Sequence, residues 1–288
     1  MVLFGSLFLA SMLALQEPAV IAVDVTVTDE TGHIVTDLTA EDFRLYEDGQ
    51  IQTIAGFAHE TGLPVRIALL IDTSGSGRDR LSFARQAGVR FLEASLTGPE
   101  DRAFIVAYGA EIALLGASTN DIDRLSDALD QLGPWGGSPV YEAVFEAARL
   151  LSAVPYRRII VLVGDGEDNT SRVSLTDAVD AATETEARIY AVSTNTGADL
   201  VSSRGQDALN LLARETGGLV FSETRIGRLD DRFEDAAEEL RTRYRLMYSP
   251  TNPGRDGDFR RIRVEVAREG YAARTRSGYY ARTAVSPE

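Results

Sequence analysis

Three successive patterns of apolar and polar positions run along the chain. From Val20 to Asp29 the two kinds alternate, placing Val23, Val25 and Val27 on one face, the period-two signature of a half-buried strand. Phe43, Leu45 and Tyr46 begin a second strand, Asp48-Gly49 marks a tight hairpin, and Ile51 to Phe57 returns as a third. From residue 61 to 242 the pattern changes to short continuous apolar runs alternating with helical periodicity. The runs are 67–71, 103–108, 112–115, 158–163, 189–192 and 219–221. The helical stretches are 80–95, 120–132, 140–152, one opening at Ser174-x-x-Asp177, 208–215 and 229–243. From 244 to 281 alternation returns, with Tyr244, Leu246 and Tyr248, then Ile262, Val264 and Val266, then a last strand or hairpin arm over 271–280.

Continuous apolar strands between helices predict a mostly parallel sheet covered on both faces, an α/β, Rossmann-like, doubly wound unit. Three strands before it and three after it are each too few to fold alone. They are therefore expected to pair into one small β-sandwich, with the α/β unit inserted between them. The expected organisation is a β-segment over 20–60, the α/β domain over 61–242, a second β-segment over 243–282 and a frayed tail over 283–288.

The uncharged stretch Leu3 to Leu15 is shorter than the ~20 residues that cross a bilayer, and it matches the apolar core of a secretory signal over residues 1–16. The mature chain is expected outside the cytoplasm, periplasmic or secreted, without a transmembrane anchor. Composition narrows the chemistry. The 288 residues contain no Cys, and all 29 basic residues are Arg. Disulfides, thiol nucleophiles, the phosphate-loop Lys and Lys Schiff bases are thereby excluded. Two His residues are too few for a multi-His metal site, and a net charge of -15 argues against nucleic acid or an anionic membrane as partner.

Ligands of open α/β sheets sit at the carboxyl ends of the strands. Three oxygen-rich loops are expected there: Asp72-Thr73-Ser74-Gly75-Ser76, Gly136-Gly137-Ser138-Pro139 and Gly164-Asp165-Gly166-Glu167-Asp168. In order and spacing they resemble the metal-ion-dependent adhesion site (MIDAS) of von Willebrand factor type A domains, which pairs Asp-x-Ser-x-Ser with a Thr and an Asp from two later loops. The matching positions are Asp72, Ser74, Ser76, Ser138 in place of the Thr, and Asp165. The resemblance covers residues 63–242, and the outer segments more loosely resemble bacterial proteins related to that family.

The resemblance implies Mg²⁺ (or Mn²⁺ or Ca²⁺) held by these five residues. Asp72 and Asp165 would bind directly or through water, and the hydroxyls of Ser74 and Ser76 directly. Hard divalent ions take oxygen ligands of this kind. Two carboxylates leave such an ion under-neutralised, so a carboxylate of a protein or extracellular ligand would complete its shell. The implied function is adhesion or protein–protein interaction at the envelope, without catalytic residues. Two rivals are a structural or assembly subunit that the metal only stabilises, and a metal-dependent hydrolase.

Lesser signals have plainer readings beside functional ones. Glu167 and Asp168 either hold a second ion or, more commonly, are solvated or cap the next helix. Trp135 is either a binding anchor on the rim or packing for its loop. Arg241, Arg243, Arg245, Arg260, Arg261 and Arg263 either form a patch for a partner or, more commonly, pair with the many acids.

Overall fold

The computed structural model describes residues 20–74, 78–153, 156–197, 203–223 and 225–281, and the main chain alone at residues 78 and 79. The expected signal segment, Ser76 and the tail lie outside the described residues. In chain order the elements begin with β1 (Ile21–Thr28), β2 (Phe43–Glu47), β3 (Gln50–Gln52) and β4 (Gly56–Glu60). The α/β unit follows as β5 (Val65–Asp72), α1 (Arg78–Ser95), β6 (Arg102–Tyr108), β7 (Ile112–Thr119), α2 (Ile122–Asp130) and α3 (Val140–Leu151). It continues with β8 (Arg157–Gly164), α4 (Leu175–Glu184), β9 (Arg188–Ser193), α5 (Arg204–Thr216), β10 (Val220–Phe221) and α6 (Leu229–Arg241). The chain closes with β11 (Arg243–Tyr248), β12 (Phe259–Val266), β13 (Ala272–Arg274) and β14 (Gly278–Tyr280).

The outer strands form two antiparallel four-stranded sheets, ordered β13-β1-β11-β4 and β14-β12-β2-β3. Both mix strands from the two ends of the chain. The Asp48-Gly49 hairpin forms as expected, with both residues at positive φ, 47° and 81°, between the paired Glu47 and Gln50. The run 51–57 is not one strand. It divides into β3 and β4, which belong to different sheets, because the chain crosses the sandwich at Thr53–Ala55. The 271–280 segment divides in the same way. Val23, Val25 and Val27 pack with Leu45, Tyr244 and Leu246 in the sandwich core.

A buried carboxylate ties the two sheets. Glu47 of β2 accepts hydrogen bonds from Tyr248 Oη at 2.5 Å, across the sandwich, and from Tyr279 Oη at 2.9 Å. Burial and this carboxylate push the Tyr248 hydroxyl far above its ordinary pKa, so it stays a donor. Hydrogen bonds to charged groups contribute about 1.5–3 kcal/mol. Tyr248→Phe should therefore lower the unfolding free energy by about that amount, measured by urea denaturation. A loss below about 0.5 kcal/mol would show that the tie carries no net stability.

The central sheet has the order β10-β9-β8-β5-β6-β7, parallel except for β7. Counted within the unit this is strand order 6-5-4-1-2-3, and the order reverses between β5 and β8. The apolar run of β5 explains the double cover. Val65, Ile67, Leu69 and Ile71 pack with residues of α1, α2 and α6, whereas Ala68 and Leu70 pack with α3, α4 and α5. Ser174 and Asp177 form the expected capping box of α4. The helix expected over 229–243 stops at Arg241, where Thr242 turns extended and feeds directly into β11.

Candidate metal centre

Asp72 ends β5 and Gly164 ends β8, the two strands flanking the reversal of strand order. The chain leaving β5 is held by Thr73, whose N–H and hydroxyl both donate to the Tyr108 carbonyl, at 2.8 and 2.9 Å. The Thr73 carbonyl accepts from the Trp135 N–H at 2.5 Å, and the Trp135 carbonyl accepts from Ala110 N–H at 2.8 Å. Three loops are thus joined through backbone groups. Within them, Asp72 Oδ1 accepts from Ser74 N–H at 2.7 Å, and the Ser74 hydroxyl also bonds this carboxylate. Ser138 Oγ lies 3.5 Å from Asp72 Oδ2. The Ser138 backbone is clamped by Asn169, which accepts from its N–H at 2.8 Å through Oδ1 and donates its own N–H to the Ser138 carbonyl at 3.1 Å.

Asp165, just beyond β8, accepts from Glu167 N–H at 3.0 Å on Oδ1 and pairs with Arg80 at 3.0 Å on Oδ2. Its carbonyl accepts from Asn195 Nδ2 at 3.0 Å, and Asn195 is itself held by Gln206. Gly166, at φ 77°, and Gly205 allow this loop to lie against the start of α5, since a Cβ on Gly205 would come within 2.7 Å of Glu167 N.

The electrostatics are those of a site short of positive charge. Burial raises the Asp72 pKa, and the Asp165 carboxylate raises it further, against the lowering effect of Ser74 and Ser138. Tyr108 Oη is fully buried beside them and has no hydrogen-bond partner among the described residues. Burial lifts its pKa well above 10, and Asp72, Asp165 and Asp168 add to the rise. A Cβ on Gly164 would sit 2.5 Å from Tyr108 Oη and 3.2 Å from Asp72 Oδ2, so only glycine lets the strand ends close around this space. An orphaned buried hydroxyl, two mutually repelling carboxylates and two serine hydroxyls fit a hard cation with its waters. Among the described residues no three acidic or His side chains converge as a metal cluster. The expected ligand set has only two such groups.

Asp72, Ser74, Ser138 and Asp165 are therefore brought together, while Ser76 lies outside the described residues. The two further acids of the Asp165 loop cap helices, though not the next one in sequence. Asp168 accepts from Tyr141 N–H at 3.1 Å at the start of α3, where Pro139 offers no capping side chain, and Ser171 Oγ takes the Glu142 N–H at 3.0 Å. Glu167 accepts from Gly205 N–H at 2.9 Å at the start of α5. Trp135 is tied through its backbone and leaves its side chain exposed, at 59%. The arginines mostly pair as expected: Arg241 with Asp101, Arg243 with Asp24 and Glu60, Arg245 with Asp24, Arg260 with Asp256 and Arg263 with Glu265. Arg80, Tyr108 and Asn169 have no local sequence signal. Each enters the site from a separate element through topology alone.

Residues 67–167 match the sequence model of the von Willebrand factor type A domain. No curated protein matches the chain. Among solved structures, a von Willebrand factor type A protein from Catenulispora acidiphila aligns with 92% of this chain and 73% of its own, at 13% identity and a TM-score of 0.51. The vWF domain of the type V pili tip protein Mfa5 from Porphyromonas gingivalis aligns with 62% of this chain and 95% of its own, at 14% identity and a TM-score of 0.51. Proximal thread matrix protein 1 from the mussel byssus, solved with a zinc-occupied MIDAS motif, aligns with 67% of this chain and 50% of its own, at 16% identity and a TM-score of 0.52. At these identities the likeness is one of fold. The matched segment holds both Asp72 and Asp165, so residues 67–167 carry the sequence pattern of a von Willebrand factor type A domain within an α/β unit of that fold.

Proposed function

We propose that the chain is a non-catalytic, divalent-metal-dependent binding module for adhesion or assembly, acting outside the cytoplasm. The observation that carries this is the convergence of Asp72, Ser74, Ser138 and Asp165 at the reversal of strand order, beside an unpartnered buried hydroxyl. These residues, with Ser76, would hold Mg²⁺ or Mn²⁺. When bound, the ion supplies a Lewis-acidic docking point for a carboxylate of a protein or extracellular ligand. Asp72 and Asp165 would carry its charge, Ser74 would keep Asp72 oriented, and the Asn169 clamp would hold Ser138 in place. A pilus tip protein and a byssus matrix protein share the fold, and the latter carries zinc in its MIDAS motif, which supports a binding role. Among the described residues no helix is long and apolar enough to cross a membrane.

Calorimetric titration of the chain with Mg²⁺, Mn²⁺ and Ca²⁺, each alone, tests the reading. One saturable site is expected, and it should tighten when millimolar glutarate is present as a carboxylate probe. Absence of binding to all three ions, with and without glutarate, would reject it.

Trp135 supplies a second prediction. Its exposed side chain beside the site has the character of an interface anchor. Trp135→Ala should leave the unfolding free energy within about 0.5 kcal/mol and metal affinity unchanged. It should weaken a metal-dependent partner by about 2 kcal/mol, measured on the ligand captured with Mg²⁺ and released by chelator. Undiminished capture would place the interface elsewhere.

A further inference from the structure

At the other end of the central sheet, where β5, β8 and β9 begin, the α/β unit meets the sandwich around a cavity of about 260 Å³. Its wall includes Arg157, Arg158, Arg188, Arg243 and Arg245, and its only carboxylates among the described residues are Asp24 and Glu186. In a chain of net charge -15 this concentration of guanidiniums runs against the average.

The ion pairs around the cavity do not cancel it. Asp24 is shared by Arg243 and Arg245. Glu60 also holds Arg243. Glu239 is divided between Arg188 and Arg274, and Glu186 holds Arg276. Arg158 turns to the carbonyls of Leu151 and Thr185. Arg157 is the decisive residue. It is 7% exposed, donates only to the carbonyls of Glu239 and Thr242, each at 3.2 Å, and forms no ion pair among the described residues. Burial, and then the charges of Arg188 and Arg243, pull its pKa down to about 9. The charge of Asp24 opposes this shift only in part, and a buried guanidinium without an ion-pair partner is costly, a cost that an anion beside it lowers.

We propose that this cavity binds a small polyvalent oxyanion, a phosphate or sulfate group, between Arg157, Arg188, Arg243 and Arg245. Guanidinium forks match such oxygens in geometry as well as charge. The ligand would brace the junction between the two units, because Arg157 and Arg188 belong to the central sheet whereas Arg243 and Arg245 belong to the sandwich. The site stands apart from the metal centre, which lies at the opposite ends of the same strands.

The test is the melting temperature of the full chain in chelator, at constant ionic strength set with NaCl, titrated with low-millimolar inorganic phosphate, sulfate or glycerol 3-phosphate. A saturable rise of about 2–4 °C is expected. At these concentrations general salt exclusion is negligible. A larger effect of the ester would point to a phosphorylated metabolite, and a larger effect of phosphate or sulfate to the free ion. Arg157→Leu should abolish the shift. Arg245→Gln, at a more exposed wall position, should weaken the anion at least about fivefold and serves if the first variant does not fold. Asp72→Ala should retain the full shift. A shift no larger than that of NaCl, or one unchanged in both arginine variants, would overturn the proposal.

Discussion

Replacing Glu239 by alanine is expected to lower the unfolding free energy by about 3–5 kcal/mol, among the largest effects of any single side chain here. Glu239 is 3% exposed, on α6. One carboxylate oxygen accepts from Tyr190 Oη at 2.5 Å and lies 3.6 Å from Arg188; the other meets Arg274 of the sandwich. Arg188 reaches in turn to Thr26 Oγ1 at 2.7 Å and to the Asp24 carbonyl at 3.1 Å, both on β1. The alanine variant would leave two guanidiniums and a phenol without this partner, in a region already rich in positive charge. The penalty is that of the uncompensated buried charges, not the net worth of the ion pairs. Glu239→Gln, which can still accept from Tyr190, should lose less. Urea unfolding of both variants measures this. An alanine variant within about 1 kcal/mol of the parent would mean that water or relaxation solvates the arginines.

Asp72→Ala should weaken Mg²⁺ by more than about 100-fold while the chain stays folded. The carboxylate is a central oxygen donor of the proposed site, and the charge of Asp165 acts on it directly. Its removal need not destabilise the metal-free protein. A carboxylate whose folded-state pKa is raised by burial opposes folding once ionised. The metal-free chain should therefore gain stability as pH falls through that raised value, and the variant should lose this part of the pH dependence. Thermal melts with chelator and with Mg²⁺ separate the two effects. The parent should rise with metal, whereas Asp72→Ala should not move. A variant that keeps the parent's metal response would remove Asp72 from the site.

Much of this was legible locally. Apolar runs located all six strands of the central sheet; β5, β6, β8 and β9 are apolar because they are buried on both faces, whereas the edge strand β7 is largely exposed. The Asp48-Gly49 turn and the Ser174 capping box rest on contacts within four residues, and both formed as read. Asp72 and Asp165 were marked by their place after apolar strands, and β5 and β8 then pair side by side.

What surrounds those carboxylates was decided by tertiary structure. Asp168 caps a helix that begins 28 residues before it, because strand order carries the β8 loop past α3. Arg80 reaches Asp165 across 85 residues, and Tyr108 stands beside Asp72 because β6 pairs with β5. The division of 51–57 between two sheets also escaped the sequence, since alternation predicts a strand but not which sheet it joins. The buried arginines at the junction are the clearest case. In sequence they are scattered polar positions at strand ends. They become a charged cavity only when the sandwich closes over the amino ends of the parallel strands. Local periodicity records which side of each residue faces the core, whereas counter-charges and partners are chosen by contacts between distant segments, on which that pattern is silent.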